Sequence, residues 1–140
     1  MRINKKDEII NLIGALLLFI IIALFIYFRN HSSLGEIKEN HVYTVGTVRD
    51  YSPSRTGRVL KYTFSYKNEV YVGGYTFYGN DDRFAIGKKN LVIFNPKDPE
   101  TKFFIPYSLP DSTYAPIEGW KSPPLSITEE DIMRYLDEKY

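Results

Sequence analysis

The sequence predicts an N-terminal transmembrane α-helix, then a small all-β domain (an antiparallel meander curled into a sandwich or partial barrel), then a short C-terminal α-helix. Three observations carry that expectation: an uncharged apolar run over residues 9–28, period-two alternation after residue 42, and an acid-led amphipathic segment after Thr128.

The first element follows from length. Residues 9–28 contain no charged side chain, and 15 of the 20 are Ile, Leu or Phe, including Ile9, Leu16, Ile20, Leu24 and Phe28. At 1.5 Å rise per residue a helix of that length spans about 30 Å, the thickness of the hydrocarbon core. Insertion energies near −0.5 kcal/mol for each large apolar residue sum to roughly −7 kcal/mol, which Asn11 does not offset. Tyr27, Phe28 and Arg29 close the run as interfacial anchors. A cleaved signal peptide would have a shorter apolar region and a small-x-small cleavage site, whereas Arg29-Asn30-His31-Ser32-Ser33 follows here. Arg2, Lys5 and Lys6 precede the run and Arg29 and Lys38 follow it. By the positive-inside rule residues 1–8 are a cytoplasmic flank and the bulk of the chain lies outside. Residues 29–41 read as a polar juxtamembrane linker.

The β domain is expected over residues 42–105. Leu60, Tyr62, Phe64 and Tyr66 alternate with Lys61, Thr63 and Ser65, the pattern of a half-buried strand with a tyrosine-rich core face. A Val-, Tyr- and Thr-rich strand over 42–51 precedes it, separated by the turn Ser52-Pro53-Ser54-Arg55-Thr56-Gly57. Lys67-Asn68-Glu69 turns the chain into a further strand running to Tyr78, in which Gly73-Gly74 suggests a bulge or sharp bend. Asn90 to Phe94 is a nearly continuous apolar strand stopped by Asn95-Pro96-Lys97-Asp98-Pro99, and Phe103-Phe104-Ile105 is a last short strand ended by Pro106. Residues 106–124 are Pro-rich and aperiodic, a wrapping loop or linker. Thr128 then caps a helix whose first turn is acidic and whose Ile132, Met133 and Leu136 share one side.

Composition narrows the function classes. With 18 Lys+Arg against 17 Asp+Glu, the chain lacks the basic balance of a nucleic-acid binder. The absence of cysteine excludes disulfides, thiol catalysis and Cys-ligated metals. The neutrality is an average: residues 42–102 carry ten basic and six acidic side chains, and residues 103–140 carry three and seven. The acidic tail is therefore expected to fold back on the basic β domain. Gly79-Asn80-Asp81-Asp82 lacks the spaced ligand series of a calcium loop, and His31 and His41 have no third ligand spaced near them, so no metal or cofactor is assigned. No nucleophile elbow, phosphate loop, dinucleotide fingerprint or zinc-protease motif occurs. No enzyme is expected.

Read in order, Val45-Gly46-Thr47-Val48, Tyr62-Thr63-Phe64-Ser65-Tyr66, Glu69-Val70-Tyr71-Val72-Gly73, Ile86-Gly87 and Val92-Ile93-Phe94-Asn95-Pro96-Lys97-Asp98-Pro99 form a pattern behind one apolar helix. That order resembles a widespread bacterial family of membrane-anchored small β domains, catalogued only as a domain of unknown function. The likeness covers residues 45–105, and it supplies no catalytic or binding residues. Glu69 stands where that family usually has a hairpin glycine, and residues 106–140 lie outside the pattern.

The functional expectation is a single-pass membrane protein that presents its β domain as a non-enzymatic protein-binding or scaffolding module. One concrete form is an immunity-type protein neutralising a toxin at the membrane. The alternative is a membrane-envelope sensor or a lipid- or ligand-binding domain, using the interior of the β fold or the Lys88-Lys89 edge. Arg58, Lys61, Lys88 and Lys89 are the candidate interaction surface, and the bilayer and a protein are the expected partners.

Overall fold

The computed structural model describes residues 4–140, the side chains of residues 30 and 31 excepted; Arg2 of the N-terminal flank and the His31 side chain lie outside the described residues. An N-terminal helix, α1 (Lys5–Glu39), leads into five strands, β1 (Val42–Ser54), β2 (Gly57–Tyr66), β3 (Glu69–Phe77), β4 (Lys89–Asn95) and β5 (Asp98–Leu109), and the chain closes with α2 (Glu129–Lys139). One short 3₁₀ turn, Asp82–Phe84, lies between β3 and β4.

Among the described residues α1 is the one helix long and apolar enough to cross a membrane. Its side chains from Ile9 to Phe28 are all exposed. The linker expected at 29–41 is different. The helix continues unbroken to Glu39 and buries Leu34 and Ile37 against the β domain. The polar residues around them mask a two-residue apolar contact one turn apart, which a helix aligns on one side and a composition reading misses.

The five strands form one antiparallel sheet in the order β3-β2-β1-β4-β5, curled into a half-barrel. β4 returns beside β1 rather than beside β3, a pairing that strand periodicity does not carry. Three two-residue hairpins make the local turns. At the β2–β3 turn, Lys67 (φ 49°) and Asn68 (φ 65°) both take left-handed backbone, the geometry whose twist matches the flanking strands. At the β4–β5 turn, Asn95 Oδ1 accepts from the Lys97 amide at 3.0 Å, as its turn chemistry predicts.

Two strand expectations are corrected. β5 does not end at Pro106 but runs from Asp98 to Leu109 with both Pro99 and Pro106 inside it. It is an edge strand, so a proline lacking N–H on its open side removes no ladder bond. Gly73-Gly74 is not a bulge: β3 pairs with β2 residue for residue through it. The register shifts lie instead in β1 between Val48 and Asp50 and along the β4–β5 pair. The glycine is needed for a close approach. A Cβ on Gly73 would lie 2.3 Å from the Tyr62 ring, and one on Gly46 would lie 2.5 Å from Val92 and 3.2 Å from Tyr62. Tyr62 thus lies across backbone on both of its neighbouring strands.

The inner face of the curl is an aromatic core. Tyr62, Phe64, Tyr66, Tyr75, Phe77, Phe84, Phe94 and Phe104 are buried together with Val48, Leu60 and Val92. Phe104 sits 4.9 Å from both the Tyr62 and Tyr75 rings. Each large aromatic buries about 150–250 Å², which is how a domain of this size obtains enough apolar contact. A second core occupies the outer face of β1, β4 and β5, where Tyr43, Leu91, Ile93, Ile105 and Leu109 meet Leu34 and Ile37 of α1 and Ile132 and Leu136 of α2. The tail therefore folds back on the β domain. Its contact is chiefly apolar, and its acids mainly reach the end of α1: Asp137 pairs with Lys38, and Glu129 lies 2.9 Å from His41 Nε2.

Candidate functional site: a half-covered sheet face

The second core covers only half of the outer sheet face. Over β1 and β2, Val45, Thr47, Thr63 and Ser65 form the floor of an open trough of about 510 Å³. On the β3 side, Val70 and Val72 stand opposite Ser65 and Thr63 in register, on the same face, and are 67% and 58% exposed. The far bank is residues 113–117 of the tail, where Tyr114 and Ile117 are exposed. The result is a hydroxyl-lined floor between two apolar banks.

The bank is held in place by the basic residues of the sheet. Lys89 Nζ donates to the Thr113 carbonyl at 2.8 Å and lies 4.0 Å from the centre of the Tyr114 ring. Lys88 reaches Asp111 at 3.7 Å. The Lys67 amide, in the left-handed hairpin, donates to the Ile117 carbonyl at 2.9 Å. On the floor, Arg49 Nε donates to Thr63 Oγ1 at 3.0 Å.

The four basic residues proposed from sequence do not share one surface. Lys88 and Lys89 hold the chain's own tail. Lys61 is exposed on the outer face of β2, whereas Arg58 shares the inner-face side with Leu60 and lines a separate groove of about 320 Å³ with Asn80, Asp81 and Asp82. In that loop Asp81 caps the 3₁₀ turn and pairs with Arg83, whose guanidinium holds the carboxyl below the usual carboxylate range. Arg83 also donates to the Pro106 carbonyl at 2.8 Å, tying the turn to β5. Sequence reading missed the trough because its two banks are more than 40 residues apart in the chain. The exposed Val70 and Val72 were legible as strand, but their facing was not.

Polar groups inside the domain are few and mostly paired. Tyr75 and Tyr135 share a hydrogen bond at 3.0 Å, and Lys139 donates to the Tyr75 hydroxyl at 3.3 Å. Burial raises the Tyr43, Tyr62 and Tyr135 phenols and pushes Tyr140 up to about 12, with the neighbouring Tyr75 adding to the last. The Tyr43 hydroxyl and Asn90 Oδ1 are buried without a hydrogen-bond partner among the described residues. His41 places Nδ1 2.7 Å from the Ile37 carbonyl and Nε2 against Glu129, so it bridges the ends of α1 and α2. Among the described residues no three His, Cys, Asp or Glu side chains converge as a metal centre.

The third groove, of about 600 Å³, lies where α1 meets β5: Phe25, Ile26, Arg29 and Ser33 face Asp98, Glu100, Lys102 and Phe103. No family model matches the chain, and no curated protein or solved structure matches it either.

Proposed function

We propose that this is a single-pass membrane protein that displays its β domain as a protein-binding module, with the trough and the adjoining edge of β3 as the binding surface. The observation that carries the reading is the asymmetry of the sheet. β5, one edge, contains two prolines, and its outer face is packed by α1 and α2; β3, the other, carries no proline or lysine and leaves Val70 and Val72 bare. Soluble domains protect such edges unless something pairs with them. An extended polypeptide added beside β3 would gain main-chain hydrogen bonds, with alternate side chains reaching the hydroxyl floor. Display requires the membrane anchor, and the α1 run with its basic N-terminal flank supports an orientation with the N-terminus cytoplasmic and the β domain outside.

The test is affinity purification of the full chain from membranes in mild detergent, alongside a Val70→Lys, Val72→Lys variant. Both positions are exposed, so the variant keeps its core. A polypeptide, or a second copy of the chain, recovered at fixed stoichiometry with the parent and lost with the variant is the expected result. Recovery of nothing, or equal recovery with both, contradicts the proposal.

A further inference from the structure

The groove between α1 and β5 differs from the trough in both position and charge. Phe25 and Ile26 belong to the last turn of the uncharged run, and Arg29 is the first cation after it, so the groove opens at the level where that run ends. If α1 spans a bilayer, as the proposed function holds, this is the height of the lipid headgroups. The Arg29 guanidinium has no hydrogen-bond or ion-pair partner among the described residues, while its carbonyl accepts from Ser33. Across the groove Lys102 is largely buried and is neutralised by Glu100 at 2.8 Å. Asp98 is exposed at the start of β5, where it accepts from the Glu100 amide at 3.3 Å and the Thr101 hydroxyl at 3.2 Å and has no ion-pair partner among the described residues. The groove therefore presents one cation without an ion-pair partner on the helix side and one carboxylate without a cation on the strand side, above an apolar lip.

We infer that this groove binds a phospholipid with a zwitterionic, primary-ammonium headgroup, such as phosphatidylethanolamine. Arg29 receives the phosphate through its planar set of N–H donors. Asp98, with Glu100 beside it, accepts from the ammonium. Phe25 and Ile26 meet the first segments of the acyl chains. The charge pattern is what selects the occupant: an anionic headgroup such as phosphatidylglycerol satisfies Arg29 but brings no cation to the carboxylates. The bound lipid joins the anchor to the β4–β5 hairpin and fixes the height of the domain over the membrane.

The experiment uses the full chain in mixed micelles of equimolar phosphatidylethanolamine and phosphatidylglycerol, with retained lipid counted by native mass spectrometry. The parent chain is expected to retain the ethanolamine lipid about tenfold over the glycerol lipid, the order of effect that one charge-assisted hydrogen bond supplies. Arg29→Gln is expected to lower retention of both. Asp98→Asn combined with Glu100→Gln keeps both cations and removes the two side-chain carboxylates of β5, and the preference should reverse towards phosphatidylglycerol. The emission of Trp120, the single tryptophan, monitors folding in each variant. Equal retention of the two lipids by the parent chain, or an unaltered preference in the double variant, overturns the site. Release of the chain from membranes by alkaline carbonate would instead overturn the spanning reading, and the site with it.

Discussion

Tyr62 shows how single residues set this fold. Its ring packs over Gly73 on one neighbouring strand and beside Gly46 on the other, at distances that leave no room for a methyl group. Gly73→Ala is therefore expected to destabilise the β domain by about 1–3 kcal/mol through overpacking, measurable as a shift in denaturant midpoint. Tyr43 is the reverse case. Its hydroxyl is buried with no hydrogen-bond partner among the described residues, so Tyr43→Phe should be neutral or stabilising. A loss of more than about 1 kcal/mol would mean that the hydroxyl is bonded in the folded protein. The buried phenols also set an alkaline limit. Their folded pKa values lie above the ordinary tyrosine value of about 10, so the stabilisation is fully present below pH 10 and fades as pH rises through the folded values. Tyrosinate absorbance should show a delayed fraction, with Tyr140 at about 12 and the remainder appearing only on unfolding.

At the scale of elements, α2 acts as a cover for the sheet. Thr128 accepts from the Asp131 amide and caps the helix, and Ile132 and Leu136 are fully buried on β4 and β5. Truncating Ile132 or Leu136 to alanine should cost about 2–5 kcal/mol of docking, against about 1 kcal/mol for Thr128→Ala. Trp120, which pairs with Tyr43 through its backbone, is the natural fluorescent reporter of that release. The elements themselves were legible to different degrees. The apolar run, the Leu60-to-Tyr66 alternation and the Thr128 cap each express one local period or one local bond, and each appears where the sequence places it. The length of β5 and the helical course of residues 29–39 were not legible, because an edge position excuses proline and a tertiary contact organises an otherwise polar segment. The trough was hidden for the same reason. Its far bank is tied to the sheet by tertiary bonds from Lys67, Lys88 and Lys89, and these lysines look like free surface charge in the sequence.

At the scale of the whole molecule, the apolar helix, the half-covered sheet and the docked tail are joined through one apolar core. α1 runs directly into the second core, so the β domain is held against the anchor rather than tethered by a flexible stalk. A reporter fused after Tyr140 should give exported activity if the three basic residues of the N-terminal flank set orientation, and cytoplasmic activity would reverse the assignment. The chain contains no cysteine, so a Val72→Cys variant carries a single thiol at the centre of the proposed surface. The most direct measurement is the maleimide labelling rate of that thiol in native membranes, compared with the purified protein in detergent. Protection in membranes that is absent after purification, with a Lys121→Cys control labelling equally in both, is the expected result. Equal labelling of Val72→Cys in both settings would show that nothing occupies this face and would contradict the binding-module account.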